Sequence, residues 1–148
     1  MRRRIALQTF ALTVAAAALT GCATAPGAAG ASSKTVYHVN TGVDTAAAAL
    51  NNIRNHLAAD PKAKIVVVTH GPGIDFLLQG AKDARGREFS ASVSELAGRN
   101  VEFRVCNNTL TTRNIDPNQL LMETKIVPSG VAEVARLQSQ EGFAYLKP

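Results

Sequence analysis

The sequence predicts an α/β fold: a mostly parallel, five-stranded sheet with helices on both faces. Three observations carry this expectation. Strand-like and helix-like patterns alternate along the chain, the order expected of parallel strands joined by helical crossovers. Ile65-Val66-Val67-Val68 is a continuous apolar run, which suits a central parallel strand covered on both sides. Three strand-like runs end in polar or reactive residues, as strands do at the ligand-binding edge of an open sheet.

The elements follow in order. Thr35–Asn40 alternates and is rich in β-formers, so it reads as the first strand. Gly42 turns the chain, and Asp44 is a candidate N-cap for an Ala-rich helix. Ala46, Leu50, Ile53 and Leu57 fall on one face of that helix. Asp60-Pro61 ends it, because the residue before a proline is pushed out of the helical region. Ile65–Val68 is the second strand. His70-Gly71-Pro72-Gly73 is a tight loop leading to a short helix over Ile74–Leu78. Gly80–Glu88 is polar and reads as an exposed excursion. Ser92 and Glu95 have capping-box spacing before Leu96, so a short helix is expected there, ending near Gly98. Val101–Val105 is the third strand. Asn107–Arg113 and Asp116–Met122 are short helical pieces, and Ile126-Val127 is a brief strand. In the next helix Val131, Val134, Ala135 and Leu137 or Gln138 form the apolar side, with Gly142 as the stop. Phe143–Leu146 is the last strand. No internal repeat is present.

The first 21 residues read as a signal segment of lipoprotein type. Arg2, Arg3 and Arg4 precede an apolar, uncharged run, Ile5–Thr20, too short for a convincing membrane span. Leu19-Thr20-Gly21-Cys22 resembles a bacterial lipobox, which makes Cys22 the lipidation site; cleavage near Ala23-Thr24-Ala25 is the competing reading. Residues 22–33, rich in Ala, Gly, Ser and Pro, form a flexible tether with no large side chain to bury. Residues 34–148 are then one folded domain. The expected location is outside the cytoplasm, facing the periplasm. Ala23 at the second mature position points to the outer membrane.

Charge excludes one class of function. Setting aside Arg2, Arg3 and Arg4 lowers the formal excess from +5 to +2, with no basic stripe or interleaved aromatics, so nucleic acid is not an expected partner. The chain has two cysteines. With Cys22 assigned to lipid, Cys106 has no intramolecular partner and is either buried or used. Three histidines and one thiol are too scattered for a metal site, and no phosphate-cradling loop stands out, so neither metal nor cofactor is expected.

Cys106 stands at a strand end before Asn107-Asn108-Thr109, where a helix N-terminus would favour the thiolate. If the first three strands are neighbours, Asn40, His70 and Cys106 converge on one rim. Each has two readings. His70 either holds the Gly71-Pro72-Gly73 turn or acts as a base or cation near the thiol. Asn40 is either a turn residue or a rim ligand. Asn107 and Asn108 either cap the following turn or bind an anionic sulfur species. His38 reads as a satisfied core or surface histidine, and His56 as a solvated one.

Four segments carry a family resemblance: Val66–Gly73, Val101–Leu110, Val127–Val131 and Gly142–Pro148. Together they resemble the DsrE/DsrF-like family of small sulfur-relay proteins. The resemblance implies a three-layer α/β/α sandwich and assembly into homo-trimers or hexamers. It also implies that Cys106 accepts sulfur as a persulfide and passes it to a partner thiol. Reduced sulfur, or a protein thiol, is then the expected partner, with Cys106 and His70 catalytic and Asn40, Gly71, Asn107 and Asn108 around the substrate. Arg113-Asn114-Ile115 stands where relatives often carry Arg-Gly-Ile, and Asn can keep the left-handed turn. The alternative is a non-catalytic module of the same fold that binds a small anion or assembles with a partner.

Overall fold

The computed structural model describes residues 32–148. The expected signal segment, Cys22 and the tether up to residue 31 lie outside the described residues. The elements are β1 (Lys34–Val39), α1 (Val43–Ala59), β2 (Lys64–Thr69), a 3-10 turn (Gly71–Leu77), α2 (Phe89–Ala97), β3 (Glu102–Cys106), α3 (Asn107–Thr112), a second 3-10 turn (Pro117–Gln119), β4 (Thr124–Val127), α4 (Gly130–Glu141) and β5 (Ala144–Leu146). The sheet order is β4-β3-β2-β1-β5. Every pairing is parallel, so the sheet is parallel throughout rather than mostly so.

Strand parity sorts the core into two layers. On one face Tyr37, Val39, Ile65, Val67, Phe103 and Val105 pack against Ala46, Ala49, Leu50, Ile53 and Leu57 of α1 and Val93 and Leu96 of α2. On the other, Val36, Val66 and Val68 meet Val134 and Leu137 of α4, with Phe143. The second face has a single helix because β4 and β5 are opposite edges. The chain must cross the whole sheet between them, and α4 is that crossing.

Several local expectations are corrected. Gly42, not Asp44, is the N-cap of α1; Asp44 sits in the first turn, where its charge suits the helix dipole. Helix α2 begins at Phe89, three residues before Ser92. The excursion closes on itself through the Lys82–Glu88 bridge, and Phe89 then drops into the core at 4% exposure, which starts the helix early. In α4 only Val134 and Leu137 of the expected apolar side are buried; Val131 is 63% exposed, and Ala135 and Gln138 face outward. Ser129 caps this helix by accepting from the Ala132 N–H, and Gly142 ends it at φ +72°. Asn114 holds the left-handed conformation at φ +51°, as the Asn-for-Gly exchange requires.

A charged clasp fastens α4 to β3. Arg104 reaches Glu133 on α4 and Glu102 on its own strand, and Glu133 also holds Arg136, which reaches Glu141. Arg104 and Glu133 are both largely covered, at 14% and 11% side-chain exposure, so neither charge is left without a counter-ion. At the C-terminal end of α1, Ser33 donates through its hydroxyl and N–H to Asp60. His56 bridges the Ser33 hydroxyl and the Tyr37 phenol, so it is a structural tie between α1 and β1 rather than a solvated side chain.

Candidate functional site at the sheet rim

The sheet brings the three predicted strand ends together. β1, β2 and β3 are consecutive neighbours. Thr69 pairs with Val105 and Val39 with Thr69, so Cys106, His70 and Asn40 follow one another at the same level of the rim. Alternation puts Cys106 on the same face as Arg104, and His70 on the same face as Val68. This is the face that α4 covers. Gly130, the first residue of α4, lies over the pair: a Cβ there would stand 3.2 Å from the Cβ of Cys106, 3.2 Å from the Cβ of His70 and 3.1 Å from the Thr69 carbonyl oxygen. A side chain there would force these neighbours to give by a few tenths of an ångström, so a glycine suits the close start of α4.

Cys106 is 5% exposed. Burial alone pushes its thiol up, yet the net direction is down. The Gly130 N–H, the Thr109 hydroxyl and the N–H groups of Thr109 and Asn108 all face the sulfur and favour its anion. Cys106 is itself the N-cap residue of α3, though its side chain makes no formal capping bond. The sulfur therefore lies between the N-termini of α3 and α4, where the partial positive ends of both favour negative charge. The α3 contribution was legible in the sequence; that of Gly130 was not.

Thr109 links two parts of the rim. Its hydroxyl accepts from the Gly71 N–H at 2.9 Å, which turns the hydroxyl proton towards the sulfur. Gly71 is held at φ +55°, a conformation that suits glycine. Thr109→Val is expected to raise the pH midpoint of Cys106 alkylation by iodoacetamide and slow the reaction several-fold at neutral pH. A midpoint unchanged from wild type would show that the hydroxyl does not support the thiolate.

The sequence left His70 as a holder of the Gly71-Pro72-Gly73 turn or as a base or cation near the thiol, and its surroundings favour the uncharged ring. Burial first, and then the charge of Lys147, lower its pKa, so the ring is neutral at neutral pH. It also caps the 3-10 turn, and its backbone carbonyl accepts from the Gly73 N–H. The thiolate is stabilised by amides and a hydroxyl instead. His70 does have a partner that sequence reasoning missed. Its Nε2 lies 2.7 Å from Nε2 of His38, and Nδ1 of His38 lies 2.8 Å from the Tyr145 hydroxyl. His38 is likewise held neutral, by burial first and then by His70 and Lys147. The signal was parity: Val36 and His38 share a face, as do Val68 and His70.

The other predicted residues divide. Asn40 reaches the rim, and its Oδ1 is buried with no hydrogen-bond partner. Asn107 and Asn108 are exposed and do not cap α3, because Cys106 occupies that position. Of Asn108, the backbone N–H faces the sulfur, and it also donates to the Pro128 carbonyl. A shallow depression beside Thr109 is lined by His70, Gly71, Asn108, Thr112 and Arg113. Arg113 there is tied to Asp75 at 2.6 Å and to the Gly71 carbonyl at 3.1 Å. Among the described residues no group of three or more His, Cys, Asp or Glu side chains is arranged to hold a metal ion.

The model of the DsrE/DsrF-like family matches residues 27–148. Among solved structures, a protein of unknown function from Methanobacterium thermoautotrophicum is 32% identical, covering 78% of this chain and 99% of its own, with a TM-score of 0.71. The ychN protein from E. coli is 15% identical over 78% of this chain and 99% of its own, with a TM-score of 0.66, a likeness of fold alone. No curated protein matches the chain.

Proposed function

The chain belongs to the DsrE/DsrF-like family, and we propose on that footing that Cys106 accepts reduced sulfur as a persulfide and passes it to a partner thiol. One observation carries the reading: a nearly enclosed sulfur whose thiol is nevertheless lowered, with Gly130, Thr109 and Asn108 turned towards it. Such a setting favours the nucleophilic form while limiting its loss to solvent oxidants. The Cys106 thiolate would attack the outer sulfur of a polysulfide or donor persulfide. The donor's S–S bond would break, and the donor would leave as a thiolate. The test is mass spectrometry of the purified protein after incubation with polysulfide, which should show sulfur added at Cys106. No added mass under conditions that load a reference persulfide carrier sinks the reading.

The 5% exposure of Cys106 also favours a second reading, a non-catalytic module that binds a small anion or assembles with a partner at this rim. That reading expects slow alkylation at neutral pH, whereas the persulfide reading expects fast alkylation.

The proposal extends to an exported domain held at the membrane by lipid on Cys22. It is supported by Arg2–Arg4, the apolar run and the Leu19–Cys22 motif. Labelled palmitate should enter the full chain in a bacterial host and be lost in Cys22→Ala. Label that survives the substitution would contradict the anchor.

A further inference from the structure

We infer that His38 and His70 form a two-coordinate site for a soft monovalent metal ion, copper(I) by class, held between their facing Nε2 atoms, with Tyr145 supporting His38 from behind. The inference goes beyond the sulfur chemistry of Cys106 and does not depend on it.

The site is assembled from three strands. His38 comes from β1, His70 follows the end of β2, and Tyr145 comes from β5. Val36 pairs with Tyr145 and His38 with Val68, which sets all three side chains on the face that α4 covers. The Nε2 atoms of the two histidines are 2.7 Å apart, while their ring centroids are 4.8 Å apart. The rings therefore meet tip to tip rather than face to face, and both nitrogens turn towards one point between them. Both residues are only partly covered, so an ion can reach that point from solvent.

Imidazole suits copper, zinc and nickel alike, so the number and setting of the ligands decide among them. Two nitrogens facing along one line match a closed-shell monocation, which is satisfied by two opposed ligands. Metal–imidazole bonds of about 2 Å would open the 2.7 Å gap to about 4 Å. Zinc asks for a tetrahedral set, and among the described residues no further His, Cys, Asp or Glu completes one. Charge points the same way. The Lys147 cation reaches both rings, and it opposes a dication twice as strongly as a monocation. Protons compete little at neutral pH, because burial keeps both rings neutral. Binding releases no proton. Whichever ring holds the proton between the two Nε2 atoms shifts it to its own Nδ1 as the ion takes that place. On His38 the Nδ1 proton then meets the Tyr145 hydroxyl oxygen, 2.8 Å away, which accepts it. Metal-bound histidines are commonly held from behind in this manner.

The experiment uses the purified full chain carrying Cys22→Ala and Cys106→Ser, so that no thiol competes for the metal. It is titrated anaerobically with copper(I) alone against a chromogenic copper(I) chelator, and one equivalent is expected to bind. The chain has three histidines, so the nitrogen NMR signals of the rings identify the ligands. The Nε2 signals of His38 and His70 should shift with the metal, while those of His56, tied to Ser33 and Tyr37, should stay. That readout needs no substitution in the site itself. Adding His38→Gln removes one of two ligands and should weaken binding by more than about a hundredfold, beyond the range for losing an outer partner. Adding Tyr145→Phe, which removes only that outer partner, should weaken it about tenfold. Failure to bind copper(I), or binding that leaves the His38 and His70 signals in place, overturns the inference. So does an affinity unchanged by His38→Gln. With no thiol in the protein tested, none of these outcomes bears on the carrier reading of Cys106.

Discussion

Replacing Cys106 by serine is expected to reduce sulfur loading to background. The reason is chemical rather than structural. A serine hydroxyl stays protonated at neutral pH, and its oxygen cannot replace the thiolate as an attacking sulfur nucleophile. The donors facing this position, the Gly130 N–H and the Thr109 hydroxyl among them, would remain in place and hydrogen-bond the serine oxygen. The stability cost of the exchange in a site with such partners is therefore small, about 1 kcal/mol. Loading by mass spectrometry and a urea midpoint, measured on the same preparation, separate the two effects. A serine variant that keeps its sulfur mass would place the acceptor elsewhere in the chain.

The largest expected loss of stability comes from a glycine. A Cβ at Gly73 would stand 2.1 Å from the Val39 carbonyl oxygen, 2.5 Å from the Val39 carbonyl carbon and 2.8 Å from the Cα of Asn40. These are backbone atoms at the end of β1, and no rotamer change can move them aside. Gly73→Ala must instead lift the 3-10 turn away from the sheet. With it go Ile74, Phe76 and Leu77, all buried in the larger core layer. The cost is expected at the upper end for overpacking, about 3 kcal/mol or more. The same turn begins beside His70 and Gly71, so the rim should lose its order as well. Gly42→Ala is the control: nothing lies within 4 Å of its Cβ, and its φ of −64° suits any residue. As an exchange at the N-cap of α1, where glycine is favoured over alanine, the control should cost no more than about 1 kcal/mol. Similar urea midpoints for the two variants would contradict the packing argument.

Much of the fold was legible because parallel strands buried on both faces leave a strong mark. Ile65–Val68 admits few other readings, and the buried stripe of α1 repeats at helical spacing. The start of α2 was not legible, because Ser92 and Glu95 have capping spacing wherever they fall in a helix, and what fixes the start is Phe89 meeting the core. The site was half legible. Cys106 and His70 could be placed at strand ends from the sequence alone. The donors from Gly130 and the partners His38 and Tyr145 depend on which strands are neighbours, and on a crossover from one sheet edge to the other. Nothing local records that β5 lies beside β1. Parity alone marked His38 as sharing a face with Val36, and without the neighbouring strand there was no reason to connect it to the thiol.

The crossing of α4 gives the Arg104–Glu133 clasp a role at a distance. This one helix carries the amide that favours the thiolate at its start and leads directly into the strand bearing Tyr145 at its end. Its seat on the sheet is thus a shared mechanical datum for thiol acidity and for the histidine alignment. Evolution or engineering could retune both at once by loosening a charge pair that touches no reacting atom.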